Sequence, residues 1–171
     1  ATGGTWFGGN GTYSTDENDL AAVYTPSLAE LLGGSVTLTL ISTGNGNCLP
    51  ETDQVTYTFT DPPAVNAGTD GFVCENNAVI FLNGSLLGAN FGLWSGGVGT
   101  FTPNTTTLTA TYIPTAAEIA SGSITLSLTS LDNGNCNPES DDVIFTFTPS
   151  PTADAGSDQN VCENNADISL S

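Results

Sequence analysis

Val36-Thr37-Leu38-Thr39-Leu40 alternates apolar and hydroxyl side chains with a period of two, and this stretch decides the fold class. Successive side chains of a β-strand point to opposite faces, so the alternation predicts a strand with one buried and one exposed face. Other short stretches rich in Thr, Val, Ile or aromatic residues recur between Gly, Asn and Pro. We therefore expect an all-β protein. The chain is also expected to fold, because disorder requires low hydrophobicity and 38% of its residues are hydrophobic.

The same stretch has a copy 88 residues further along, at 124–128, and this copy belongs to a repeat that runs through the chain. Trp6 and Trp94 are 88 residues apart, Cys48 and Cys136 share that spacing, and residues 73–78 recur at 161–166. About half of the positions aligned in this register are identical. A period of this length is too long for a solenoid rung and is close to one immunoglobulin-sized sandwich. The sequence therefore predicts tandem immunoglobulin-like β-sandwiches stacked end to end.

Short polar, Pro-rich stretches at equivalent positions, 60–63 and 148–151, mark the boundaries between repeats. They divide the chain into the C-terminal part of one repeat (1–61), one complete repeat (62–149) and the first strands of the next (150–171). This division predicts that the chain is an excerpt from a longer array.

Within the complete repeat we expect six strands and one helical turn. Thr115-Ala116-Ala117-Glu118, repeated as Ser27-Leu28-Ala29-Glu30, is a capping-box pattern preceded by Pro. Trp94 lies on a middle strand and is expected in the core. The strands are predicted near 65–73, 78–83, 90–95, 106–112, 122–130 and 142–148.

The charge of the chain excludes several classes of function. It has 18 Asp and Glu but no Lys, Arg or His, which gives a net charge of -18. Nucleic acid binding and anionic membrane surfaces require cationic side chains, and Ser-His or Cys-His catalysis requires an imidazole. No apolar run approaches the roughly 18 residues of a membrane helix, so no direct membrane insertion is expected. The functional groups that remain are carboxylates, amides, hydroxyls and the backbone, whose oxygen atoms suit hard cations such as Ca²⁺.

Several segments together resemble a known family. Residues 63–70 and their copy 151–158 resemble the opening strand of PKD-type immunoglobulin-like domains. The whole period resembles the tandem modules of giant surface adhesins of gliding Bacteroidota, the SprB-like gliding-motility proteins. The resemblance implies export by type IX secretion, a cell-surface location and a long stalk of repeats, with no catalytic residue. It departs from the PKD pattern after the second strand, where this chain has Asn83-Gly84-Ser85-Leu86-Leu87. The segments that carry the wider resemblance are Val73-Cys74-Glu75-Asn76-Asn77, Leu93-Trp94-Ser95-Gly96-Gly97-Val98-Gly99-Thr100-Phe101 and Asn133-Gly134-Asn135-Cys136.

Two cysteines per repeat, without a CxxC pair, favour disulfides over metal sites. The four are Cys48, Cys74, Cys136 and Cys162. In immunoglobulin topology the first turn and the last hairpin lie at opposite poles, which favours bridges between neighbouring repeats whose partners lie outside this chain. The alternative is a bridge from Cys74 to Cys136 within one domain.

Acidic residues recur in turns at the 88-residue spacing. If the repeats stack end to end, acidic side chains of one repeat would lie close to acidic side chains of the next. If Glu30 of one repeat faces the last hairpin of the next, calcium is a candidate to bridge the joint through oxygen ligands. The alternative is that these acids are simply solvated. The candidate ligands are Glu30, Asp132, Glu139, Asp141 and Asp142.

Composition and repetition predict an extracellular structural spacer of a long adhesin or filament rather than an enzyme. Such a chain offers no site for trypsin-like proteases and has no Met to oxidise. Its expected partners are neighbouring repeats of the same chain and a surface polysaccharide or substratum. The alternative is a carbohydrate-binding module in which Trp6 or Trp94 stacks on a sugar, and the exposure of the indole distinguishes the two.

Overall fold

A computed structural model describes residues 1–164, 167, 168 and 170, and it divides the chain into two compact units, Ala1–Asp61 and Pro62–Ser171. The first unit contains five strands and one short helix. They are β1 (Gly3–Phe7), β2 (Thr12–Tyr13), β3 (Tyr24–Thr25), α1 (Leu28–Gly33), β4 (Ser35–Thr43) and β5 (Thr52–Thr58).

The strands of the first unit form two small antiparallel sheets. One sheet has the order β1-β4-β5, with Trp6 opposite Leu40 and Leu38 opposite Val55. The other consists of β2 and β3 alone. Val36 and Leu38, from the alternating stretch, are buried, as the period-two pattern predicts.

The described residues of the second unit form nine strands, one α-helix and one 3-10 helix over Glu75–Asn77. The strands before the α-helix are β6 (Ala64–Asn66), β7 (Gly71–Cys74), β8 (Ile80–Phe81), β9 (Ser85–Leu87), β10 (Phe91–Ser95), β11 (Thr100–Thr102) and β12 (Thr111–Ile113). They are followed by α2 (Ala116–Ala120), β13 (Ser123–Leu131) and β14 (Ser140–Thr148). In the described part of 150–170, the only assigned secondary structure is an isolated bridge at Cys162 and a short turn after it.

Two larger sheets and one small pair build this unit. The four-stranded sheet has the order β10-β13-β14-β7, the three-stranded sheet has the order β11-β12-β8, and β6 pairs with β9. All pairings are antiparallel except that of β7 with β14, where Cys74 lies opposite Thr148. The second unit is thus an all-β, immunoglobulin-like sandwich, as the sequence predicts.

The first predicted strand, 65–73, is split into β6 and β7. Asn66 Oδ1 accepts a hydrogen bond from Gly68 N at 2.8 Å, and Gly68 has a φ of 99°, a conformation that side chains rarely adopt. This turn lets the chain leave β9 and join β14. The predicted strand therefore becomes two short strands in different sheets.

The other strand predictions differ from the structure mainly in length. The strand predicted at 106–112 shortens to Thr111–Ile113, because Asn104 Oδ1 holds Thr106 and Thr107 in a turn through their backbone N–H groups. The three-residue strands β9 and β11 were not predicted. Both helical turns are present, and each has a complete capping box.

A single hydrophobic core lies between the sheets of the second unit. Trp94 is 1% exposed, as expected, and its Nε1 donates a hydrogen bond to Leu108 O at 3.2 Å. Ile80 and Leu82 from the first part of the repeat pack into the same cluster. Its buried members are Ala67, Ile80, Leu82, Trp94, Ala110, Tyr112, Ile124, Leu126, Leu128, Val143 and Phe147.

Replacing Leu126, which is 0% exposed, tests this core. Leu126→Ala should lower the free energy of unfolding by about 2–5 kcal/mol, because it removes buried methyl groups and leaves a cavity. Leu87→Ala makes the same chemical change at a position that is 75% exposed and should change it by less than about 0.5 kcal/mol. Urea denaturation measures both values, and equal losses would contradict the placement of the core.

Candidate functional site

The α2 cap is a densely hydrogen-bonded site of the second unit. Thr115, the N-cap, donates from N and Oγ1 to Glu118 Oε2 at 2.7 and 2.9 Å. In return, Glu118 N donates to Thr115 Oγ1 at 3.3 Å. This reciprocal pair satisfies donors that would otherwise be unpaired at the start of the helix.

The other oxygen of the same carboxylate reaches across to the three-stranded sheet. Glu118 Oε1 accepts hydrogen bonds from Tyr112 Oη and from Val98 N, both at 2.6 Å. Tyr112 Oη in turn accepts from Gly99 N at 2.8 Å. One carboxylate therefore joins the helix, strand β12 and the turn after β10. We call Tyr112, Thr115, Glu118 and the backbone of Val98 and Gly99 the cap network.

The first unit contains the same cap network 88 residues earlier. Glu30 Oε1 accepts from Tyr24 Oη and Asn10 N, and Glu30 Oε2 accepts from Ser27 N and Oγ, each at 2.7 Å. Gly11 N donates to Tyr24 Oη at 2.6 Å. The two copies thus keep the same contacts although Ser27 replaces Thr115.

These hydrogen bonds shift the pKa values of the two glutamates and of Tyr112. Burial by itself would raise the pKa of Glu118, but hydrogen bonds from Tyr112, Thr115 and Val98 outweigh it and lower the pKa to about 2. The pKa of Glu30 is likewise lowered to about 2 by Tyr24, Ser27 and Asn10 against the effect of burial. Burial, and then the bond to Glu118, raise the pKa of Tyr112 to about 12. The network is therefore a carboxylate held ionised by neutral donors.

A glycine makes the close approach of the turn possible. Gly97 has a φ of 69°, and a Cβ there would lie 2.1 Å from Tyr112 Oη. Gly9 occupies the same place in the first unit, with a φ of 71° and the same 2.1 Å approach to Tyr24 Oη. No side chain fits at either position without displacing the network.

Acid should weaken this network. A carboxyl whose folded pKa lies below its unfolded value stabilises the fold above about pH 4.5, and that contribution is lost as the pH falls towards 2. Glu118→Gln should lower the stability at pH 7, and its deficit relative to the unmodified chain should shrink between pH 4.5 and pH 2. Thermal melting across this range measures the deficit.

Glu139→Gln is the matched control because Glu139 lies outside the cap network. It should leave both the stability and its pH profile nearly unchanged. A deficit of Glu118→Gln that stays constant down to pH 2 would contradict the ionised network.

The calcium bridge between repeats stays a prediction, and the contacts of its candidate ligands bear on it. Glu30, with four hydrogen bonds on its carboxylate, does not fit the role of an available ligand. Asp141 and Asp142 are neighbours on β14, where successive side chains point to opposite faces. No group of three or more Asp, Glu, His or Cys among the described residues is arranged to hold a metal ion.

Three of the remaining acids, Asp132, Asp141 and Asp142, also have structural partners. Asp141 Oδ2 accepts from Ala67 N at 2.9 Å, Asp142 Oδ1 from Ser127 Oγ, and Asp132 Oδ2 from Asn90 Nδ2 at 2.7 Å. Asp70 makes a bond of the same kind, accepting from Ile144 N at 2.8 Å. Asp70 and Asp141 together tie the turn between β6 and β7 to the last strand. Sequence reasoning missed this role, although both acids recur at the 88-residue spacing.

The cysteines lie at opposite ends of the sheet in the second unit. Cys74 ends β7 opposite Thr148, the last residue of β14, whereas Cys136 precedes the first residue of that strand. Eight steps along β14 span about 27 Å, and a disulfide needs its Cα atoms within about 7 Å. This separation excludes the bridge from Cys74 to Cys136 within one domain, and no disulfide joins the four cysteines. The bridge between neighbouring repeats stays a prediction.

Each unit has a concave surface among its described residues. In the first unit an apolar groove of about 360 Å³ lies between its two sheets. In the second unit a more polar cavity of about 500 Å³ lies beside the turn of Gly68 and the exposed ring of Phe81. Trp94 reaches neither surface because it is buried, so it cannot be a stacking platform for a sugar. The residues that line the groove are Trp6, Tyr13, Ala22, Tyr24, Pro26, Val36, Leu38, Val55, Tyr57 and Phe59.

Comparison with known proteins shows similarity at the level of solved structures. No protein family and no curated protein sequence matches the chain. A Drosophila N-cadherin fragment, EC1-3, is 13% identical with a TM-score of 0.42, covering 86% of this chain and 55% of that one. Protocadherin gamma B2 domains 3-6 are 16% identical with a TM-score of 0.35, and the match covers 86% of this chain and 40% of that one. Human mucin-like protocadherin EC1-2 is 12% identical with a TM-score of 0.34, and the match covers 86% of this chain and 84% of that one. The chain thus spans about half of the first two structures.

No helix among the described residues is long and apolar enough to cross a membrane.

Proposed function

We propose that the 88-residue unit is a non-catalytic, load-bearing spacer in a long cell-surface adhesin or filament of the gliding-motility type. The observation that carries this proposal is the parallel pairing of β7 with β14. These strands lie near the beginning and the end of the complete repeat. A pull on the two ends of the repeat therefore acts along the strands and in opposite directions.

This geometry resists force because its bonds share the load. When paired strands are pulled along their axes, the hydrogen bonds between them are loaded together, whereas a hairpin pulled open at one end loses its bonds one after another. The bonds of Asp70 to Ile144 N and of Asp141 to Ala67 N lie beside the same pair and add to it. The first and last segments of the repeat are thus held by a continuous set of polar contacts.

The pattern of identity between the two copies supports the same proposal. The residues kept at the 88-residue spacing include the cap network glutamates, the core tryptophans and the core leucines, all of which hold the fold. A repeated unit whose shared residues are structural contributes length to a protein rather than a separate active site. An array of such units, with neighbouring repeats as partners, is the simplest assembly that uses them.

Composition supports an extracellular setting. The absence of Lys and Arg removes the cleavage sites of trypsin-like proteases, and the net charge of -18 keeps neighbouring molecules apart. The resemblance to Bacteroidota gliding adhesins supports export by type IX secretion and attachment to a substratum or polysaccharide. Bacteria of that type are therefore the setting in which to test the proposal.

Force spectroscopy on a tandem chain of three copies of residues 62–149 tests the load-bearing role. Each unfolding event should release about 300 Å of extended chain. Asp70→Asn and Asp141→Asn should lower the unfolding force, because each weakens a bond beside β14. Asp132→Asn makes the same chemical change at the bond to Asn90, away from the loaded strands, and should leave the force unchanged. Equal effects of all three variants would contradict the proposal.

The joints between repeats call for a separate measurement on the same tandem chain. Its free energy of unfolding should fall by about 2–4 kcal/mol on reduction if Cys74 of one copy is bridged to Cys136 of the next. A lower melting temperature in chelator than in calcium would support a bridging ion, for which Asp132 and Glu139 are the candidates that carry no buried contact. If neither reduction nor chelation changes the stability of the tandem chain, neighbouring repeats are joined by packing and the linkers alone.

Carbohydrate binding is the second candidate, and the cavity beside Phe81 favours it. Phe81 is 77% exposed, and amide side chains of Asn66 and Asn83 line the same cavity. Aromatic and amide groups side by side suit the faces and hydroxyls of a sugar. Titration with bacterial surface polysaccharide should perturb the signals of these residues, and Phe81→Ala should abolish the change.

A further inference from the structure

An asparagine with the acceptor pattern for N-linked sugars lies in the connection between β8 and β9. The stretch Phe81-Leu82-Asn83-Gly84-Ser85 contains Asn-x-Ser, in which x is not Pro. In secreted proteins this tripeptide marks an asparagine whose side-chain nitrogen accepts a sugar. The chain also has Asn-x-Thr at Asn10 and at Asn104, so the sequence pattern alone does not select one of the three. Their surroundings in the structure differ.

The backbone around Asn83 is extended and pairs with the segment that leads into β12. Leu82 N donates to Ala110 O at 2.9 Å. Gly84 N donates to Leu108 O at 3.0 Å. Because successive side chains of an extended segment point to opposite faces, Asn83 points away from its neighbours Leu82 and Gly84, which are both buried. The side chain of Asn83 is therefore exposed on the outer face.

The core requires the glycine at the centre of this tripeptide. A Cβ on Gly84 would lie 2.7 Å from Leu128 Cδ2 and 2.8 Å from Trp94 Cζ2. Both of these side chains are buried, so neither can move aside without disturbing the core. Gly84 thus faces inward, and this orientation holds Asn83 on the outward side.

Phe81 and Ser85, two residues before and two residues after Asn83, share its outer face. Residues two apart in an extended chain lie about 6.8 Å from each other. All three residues are exposed, and they line the same cavity of about 500 Å³. The acceptor asparagine therefore has an exposed aromatic ring on one side and a hydroxyl group on the other.

The cavity has the chemistry that an attached sugar would need. A pyranose ring presents C–H groups, which pack against the face of an aromatic side chain, and hydroxyls, which need polar partners. Phe81 supplies the aromatic face, and the amide of Asn66 and the carboxylate of Asp70 line the same cavity. A sugar on Asn83 Nδ2 would thus cover an apolar ring that water otherwise contacts.

The other two acceptor tripeptides have different surroundings. Asn104 is fixed within its own loop, where its Oδ1 accepts hydrogen bonds from N and Oγ1 of both Thr106 and Thr107. Asn10 belongs to the cap network of the first unit, because its N donates to Glu30 Oε1 at 2.7 Å. Neither tripeptide has an aromatic residue two positions before its asparagine. Asn83 is thus the one acceptor that this sequence pattern pairs with a ring.

We propose that Asn83 is an attachment site for an N-linked glycan and that the first sugar of this glycan packs against the ring of Phe81. The donor is a sugar activated as a diphosphate, carried by a lipid or a nucleotide. Asn83 Nδ2 forms a bond to the anomeric carbon of the sugar while the bond from that carbon to the diphosphate oxygen breaks. The nitrogen loses one proton, and the diphosphate leaves with the electron pair of the broken bond.

The attachment site rests on the proposed extracellular setting but not on the load-bearing role. Asn83 lies outside the pair of strands β7 and β14, which carries the load in that proposal. The site also differs from the carbohydrate-binding candidate, in which the same cavity captures a free sugar. An added mass on Asn83 distinguishes an attached sugar from a captured one.

Peptide mass spectrometry tests the attachment. The full chain is secreted, behind an added signal peptide, from eukaryotic cells that attach N-linked glycans to secreted proteins. Most molecules should carry a glycan on Asn83, and an amidase that releases N-linked glycans should convert this asparagine to aspartate. Ser85→Ala should leave Asn83 without a sugar. Chymotrypsin is the suitable protease because the chain has no Lys or Arg and because Phe91 and Phe101 separate Asn83 from Asn104.

Thermal melting before and after release of the glycan tests the contact with Phe81. Release should lower the melting temperature of the second unit by about 4–8 °C, the shift that one aromatic contact produces in a domain of this size. In Phe81→Ala the same release should have little effect. The control Phe72→Ala changes a phenylalanine that is 80% exposed on β7 and is not among the residues that line the cavity. It should keep the full loss, and because release leaves an aspartate in both variants, the comparison isolates the ring.

Two results would overturn the proposal. One is a secreted chain in which Asn83 carries no sugar. The other is an equal loss of melting temperature on release in Phe81→Ala and in Phe72→Ala, which would show that the sugar does not pack against Phe81. Neither result affects the unfolding force of the unmodified tandem chain, so the load-bearing role is tested separately.

Discussion

Every buried carboxylate of this protein must be stabilised without a cationic side chain. The sequence has 18 Asp and Glu and no Lys, Arg or His, so hydroxyl and backbone N–H groups are the available donors. Glu118 shows the consequence, since a tyrosine, a threonine and two backbone amides supply its four hydrogen bonds. Such bonds to an ionised group are stronger than neutral ones. A network of them replaces the ion pairs that other proteins use.

Because of this constraint, a few carboxylates of the sandwich each accept hydrogen bonds from more than one segment of the chain. The cap network joins the helix, the β12 strand and the turn after β10, and it does so beside the core that contains Tyr112. Asp70 and Asp141 use the same chemistry to hold the first strands against β14. Carboxylates thus hold together segments that surround an apolar core.

The sequence predicted the features that depend on local pattern. The period of two at Val36–Leu40 predicted a strand, and the spacing from Thr115 to Glu118 predicted a capping box, because each pattern reflects contacts between near neighbours. The strands β9 and β11 were missed, since three residues are too few to show a period. The role of Glu30 was also missed. A carboxylate in a turn looks solvated in the sequence, and only the fold brings the hydroxyl of Tyr24 to it.

Because the glycine turn passes close to the tyrosine hydroxyl, the residues that this contact requires form a recognisable sequence motif. Both units have Trp-x-Gly-Gly-x-Gly, followed after a fixed interval by Tyr-x-Pro-Ser/Thr-x-x-Glu, at 6–11 with 24–30 and at 94–99 with 112–118. The glycines, the tyrosine, the Ser or Thr and the glutamate of this motif each have a steric or hydrogen-bonding reason. A scan for this two-part signature would locate and count units of the same construction in other chains, even where the remaining similarity has faded.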